Sequence, residues 1–81
     1  MNPKYYTDGP WSSDSEFISS PDGFVAQLVE RETPRETEAN ARLIAAAPDL
    51  LAALERLAHP MADDEDLDYA REVIAKAKGQ Q

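Results

Sequence analysis

Residues 33–58 read TPRETEANARLIAAAPDLLAALERLA, and this stretch decides the fold class. Thr33 can cap a helix, Pro34 suits the first helical position, and Glu36 stands where a capping box places its acid. Glu38 and Arg42 lie at i, i+4 in the favourable order. Ala39, Leu43, Ala46 and Ala47 are expected to line the inner stripe of this first helix, with Ile44 beside it. Pro48 disfavours helical geometry at Ala47, so the helix should stop or kink there and a second should begin. Leu50, Leu54, Leu57 and Ala58, widened by Leu51, form the apolar stripe of that second helix and are expected to be the centre of the core.

Downstream, His59-Pro60 closes the second helix and leads into a third. There Leu67, Ala70, Ile74 and Ala77 fall on one stripe, flanked by Tyr69 and Val73. Acids from Asp63 to Asp68 crowd its start, and Lys76 and Lys78 sit near its end, as the helix dipole favours. Gly79 reads as the stop. Upstream, Pro21-Asp22-Gly23 separates residues 16–20 from residues 24–29 and reads as the turn of a β-hairpin. Alternation places Phe24, Ala26 and Leu28 on one face of the second strand, and Val25, Gln27 and Val29 on the other. Residues 1–15 read as an irregular segment, with Pro3, Gly9 and Pro10 as breakers and Tyr5, Tyr6 and Trp11 as aromatic anchors. The expectation is therefore one small α+β domain over 1–81. It comprises an irregular start (1–15), a short antiparallel hairpin (16–29) packed on three helices (34–78), and a proline kink between the first two helices.

Composition narrows the function. The chain has 81 residues, 16 acids against 8 bases, a net charge of −8 and no cysteine. One core is all that such a length supports, and much of the apolar 42% is alanine, so the core should be thin and gain from a partner or a second copy. No disulfide, thiol nucleophile or cysteine-held metal is possible. The start MNPKYYTDGPW carries neither the basic nor the apolar region of a signal peptide. No uncharged stretch approaches the ~20 residues of a membrane span. These features point to the bacterial cytoplasm.

No constellation for catalysis is visible. His59 is the one histidine, and no nucleophile or orienting group stands near it in the sequence, so helix termination is its expected role. Gly9, Gly23 and Gly79 form no phosphate-binding loop. The run Asp63-Asp64-Glu65-Asp66-Leu67-Asp68 lacks the glycine and distal glutamate of a calcium loop, so no metal or cofactor is expected. Its ordinary reading is charge at a helix N-terminus; its functional reading is a docking patch for a basic partner. The two helices around Pro48 could suggest a DNA-reading pair, but a basic footprint is missing. Carboxylates imitating phosphates remain an alternative use of the same charge. The candidate partner-binding residues are thus Asp63, Asp64, Glu65, Asp66 and Asp68, with Trp11 either a hot spot or a packing anchor.

The block from Glu38 to Glu55, EANARLIAAAPDLLAALE, resembles a signature recurrent in short phage and prophage proteins of unknown function. Gly9-Pro10-Trp11, Asp22-Gly23-Phe24-Val25-Ala26 and residues 70–77 (AREVIAKA) resemble the same family's layout in the same order. The family's usual valine- and isoleucine-rich first strands are interrupted here by Ser12 to Ser15, so a hairpin is expected in place of a full three-stranded sheet. The resemblance implies an accessory protein of a mobile element without catalytic residues to carry over. Small acidic inhibitors of host defence, anti-CRISPR proteins included, are a recognised class among such proteins. By association with that class, the expected function is a binding protein that occupies a basic surface of a host complex, with a CRISPR effector as the leading candidate. The alternative is a structural or assembly accessory acting through self-association, with a homodimer as the simplest form. Direct nucleic-acid or membrane binding is not expected.

Overall fold

The computed structural model describes residues 6–29 and 33–79. Three strands, β1 (Ser12–Asp14), β2 (Phe17–Ser20) and β3 (Gly23–Gln27), precede three helices, α1 (Pro34–Ala45), α2 (Ala47–Ala58) and α3 (Asp64–Ala77). The fold is α+β, with an antiparallel sheet in the order β1-β2-β3. The expected hairpin is β2–β3, turning at Pro21-Asp22, where Asp22 N–H donates to Ser20 Oγ at 3.1 Å. Gly23 follows at φ +134°, a backbone region that side chains disfavour.

Two features of the sheet differ from expectation. First, Ser12–Asp14 pairs with residues 17–19 as a third strand inside the segment expected to be irregular. The turn joining it to β2 has no glycine; Ser15 itself takes φ +54°. Second, the β2–β3 register shifts, pairing Ile18 with Ala26 but Ser19 with Phe24, so Val25 is an extra residue. A bulge of this kind breaks strict alternation. Val25 and Leu28, expected on opposite faces, both pack against the buried Ile18. Phe24 is left 79% exposed, with its ring centroid 5.5 Å from that of Phe17.

The helix ends follow their capping chemistry. Glu36 N–H donates to Thr33 Oγ1 at 3.1 Å at the start of α1. Ala46 forms the junction to α2, with Pro48 in the first turn beyond it. Gly9 lies against this junction: a Cβ built there would stand 2.7 Å from Pro48 Cβ. His59 caps the end of α2. Lys78 and Gly79 close α3, and Gly79 takes φ +79° as a stop residue should.

Each helix is rotated about its axis from the expected orientation. On α1 the buried stripe is Thr37, Ala41 and Ala45, while Leu43 and Ile44 face solvent. On α2 the buried residue is Ala53, with Leu50 half-buried, and Leu54 is 64% exposed. On α3 Ala70, Val73 and Ala77 are buried, while Leu67 and Ile74 stay exposed. The physical reason is close approach. Alanine lets two helix backbones come together, and the larger aliphatics are displaced to the flanks of the seam.

The molecule consequently has two small cores. Ile18, Ala41 and Ala45 form one between sheet and α1, joined by Trp11, Val25 and Leu28. Ala53, Ala70 and Val73 form the other between α2 and α3, joined by Leu50 and Tyr69. Among the described residues no strand packs on α2 or α3. The α2–α3 hairpin therefore projects from the sheet and α1, and the molecule is 43 × 31 × 16 Å. No described helix is long and apolar enough to cross a membrane.

Candidate functional site

The acidic run was expected to act as one patch, and the fold divides it. Asp63 is the N-cap of α3, its carboxylate accepting from Glu65 N–H at 3.0 Å and Asp66 N–H at 3.3 Å. Asp66 reaches back and accepts from Asp63 N–H at 3.0 Å, completing a reciprocal capping box. Its other oxygen accepts from Arg56 Nε at 2.8 Å, which ties α2 to α3, and its side chain keeps 19% of its surface. The Arg56 guanidinium also lies 4.1 Å from the centre of the Tyr69 ring, a cation–π geometry. Hydrogen bonding from Arg56, reinforced by Asp63 N–H, holds the Asp66 carboxyl below its ordinary pKa. Both residues are committed to the helix start.

The remaining acids face outward. Asp64 and Asp68 are one turn apart on α3, and Glu72 extends the same row by another turn. Glu65 stands beside them, and all four are exposed. Arg71 approaches Asp68 only at 3.5 Å, with both side chains mostly in water, so it neutralises little of this row. Glu72 escaped the reading of the sequence because it lies outside the run; helical spacing from Asp68 is the signal that identifies it. Among the described residues no three metal-ligating side chains converge.

Trp11 sits in the sheet core, apart from the acidic run. Its ring is half-buried against the Ile18–Ala41–Ala45 cluster, and its Nε1 donates to the Thr7 carbonyl at 3.2 Å. It anchors the N-terminal segment. Tyr6 is exposed, and Tyr5 and Pro3 lie outside the described residues.

An open groove of about 450 Å³ runs along the α2–α3 connection, lined by Ala52, Glu55, Arg56, His59, Met61 and Asp66. His59 Nδ1 accepts from Met61 N–H at 3.0 Å, a loop-closing bond that occupies one of its two nitrogens. The lining contains no hydroxyl or thiol to act as a nucleophile beside it. The surface features available for recognition are therefore the outward carboxylates of α3 and the aliphatic flank of the helices.

Compared with known proteins, the whole chain, residues 1–81, matches the family described as Salmonella phage P22 protein Y8K6, and the chain belongs to that family of phage proteins. No curated protein and no solved structure matches it.

Proposed function

We propose that this member of the phage P22 Y8K6 family is a non-enzymatic binding protein. In this reading it acts in the host cytoplasm by occupying a basic surface of a host defence complex, with a CRISPR effector as the most concrete candidate. The observation that carries the reading is the outward row Asp64, Glu65, Asp68 and Glu72, which is free of the capping duties that hold Asp63 and Asp66. Spaced carboxylates on a rigid helix suit a surface built to hold phosphates, and they raise the rate of encounter with it. The test is the triple variant Asp64→Asn, Glu65→Gln, Asp68→Asn against reconstituted effector complexes. Association should slow and its salt dependence flatten, while the melting temperature barely moves. An unchanged rate and salt slope would remove the acids from any binding role.

A second reading is favoured by a separate observation. Leu54, Leu67 and Ile74 remain exposed on a small protein whose buried side chains are mostly alanine. That pattern supports an assembly accessory working through self-association.

A further inference from the structure

The α2–α3 hairpin is a two-helix layer, and neither of its broad faces is covered by a strand. Along α2, Leu50, Leu54 and Leu57 recur at i, i+4 and i+7; along α3, Leu67 and Ile74 are two turns apart. Each row is displaced from its helix's buried alanine seam in the same rotational sense. Because the helices run antiparallel, equal displacements bring both rows to the same face of the hairpin. Arg56 and Tyr69 lie on the other face.

We infer that this aliphatic face is a homodimer interface, on which the α2–α3 hairpin of a second copy packs about a two-fold axis to complete a four-helix layer. Three arguments select a second copy as the occupant. The first is charge. A chain of net charge −8 should repel its own kind, yet the rows that make this face carry one acid, Asp64, against two bases. Of the acids of α3, Glu65, Asp68 and Glu72 project away, while Asp64 shares the helical stripe of Leu67, Arg71, Ile74 and Lys78, so one acid and two bases stand along this row. A basic partner would find more bases than acids there, and a second copy would meet little repulsion.

The second is area. Helices of 12 and 14 residues make a face about 20 Å long and, at two helix diameters, about 20 Å wide. That is about 400 Å² per partner, half of a standard interface and the size that a weak, reversible pairing takes. The third is architecture. A helix pair held to the rest of the chain only through α1 leaves its apolar flank uncovered, and antiparallel pairs stack face to face into four-helix bundles.

This inference rests on the self-association reading and is tested apart from the acidic-face reading, whose row of Glu65, Asp68 and Glu72 lies off this face. The full chain should sediment at twice 9.0 kDa, and its melting midpoint should rise with protein concentration. Leu54→Glu and Ile74→Glu should each weaken dimerisation at least about a hundredfold by leaving a charge buried in the interface, with helical circular dichroism retained. Leu54→Cys provides a check that does not depend on those variants folding, since it introduces the sole thiol of a cysteine-free chain. Its labelling rate should fall as the protein is concentrated. A single-copy mass from micromolar to millimolar concentration overturns the inference. So does a trimer or larger species, a dimer indifferent to both glutamate substitutions, or a thiol whose labelling ignores concentration. None of these outcomes touches the triple carboxamide variant, so failure of one reading is separable from failure of the other.

Discussion

At the scale of single residues, Asp63 and Asp66 are worth separating from their acidic neighbours because each has a defined partner. Removing the cap with Asp63→Ala leaves two N–H groups at the start of α3 without their acceptor and should cost about 1 kcal/mol. For a domain of this size that lowers the melting midpoint by roughly 4–8 °C. Asp66 adds a pH dependence. Its carboxyl is held below the ordinary value, so the folded state prefers the ionised form. The corresponding stability is fully present above the unfolded aspartate value of about 3.9 and is lost as pH falls through the lower folded value. Asp66→Asn should flatten that acid limb in melts recorded from pH 6 downward; an unchanged limb would show that other carboxylates control it. These roles were half legible in the sequence. Acids before a helix announce a cap, but which acid caps and which pairs with Arg56 depends on how α2 and α3 are set side by side.

At the scale of elements, the helix boundaries were readable because their chemistry is local. Thr33, Pro48 and Gly79 each act within a turn of their own position. Orientation was not readable, because hydrophobicity ranks leucine above alanine whereas close helix packing ranks them the other way. Two substitutions test the observed rotation. Leu54→Ala should change the stability of the separated chain by less than about 0.5 kcal/mol, as surface changes do. Ala53→Leu, at a site only 3% exposed, should destabilise it by about 1–3 kcal/mol through overpacking. Chemical denaturation of both variants at low concentration checks the pair, and the reverse ranking would restore Leu54 to the core. The third strand escaped notice for a different reason. Ser12–Asp14 has no apolar alternation, and its turn uses Ser15 at positive φ where a glycine would have announced it.

At the scale of the whole molecule, charge rather than shape decides what the protein avoids. Sixteen acids against eight bases oppose any polyphosphate, and the bases that the structure describes are spread over separate helices. No mobility shift with duplex DNA is expected at physiological salt, and micromolar binding there would contradict the electrostatic argument. The two clusters of buried side chains have a further consequence, for the way the chain opens. One lies between sheet and α1, the other between α2 and α3, and they are joined by the Ala46 junction and by the packing of α1 on α3. Clusters with no side chain in common need not come apart together. Amide protons of α2 and α3 should therefore exchange with solvent as one cooperative group and those of β2 and α1 as another, each with its own opening free energy. Gly9, wedged against Pro48, is the contact through which the N-terminal segment reaches the hinge between them.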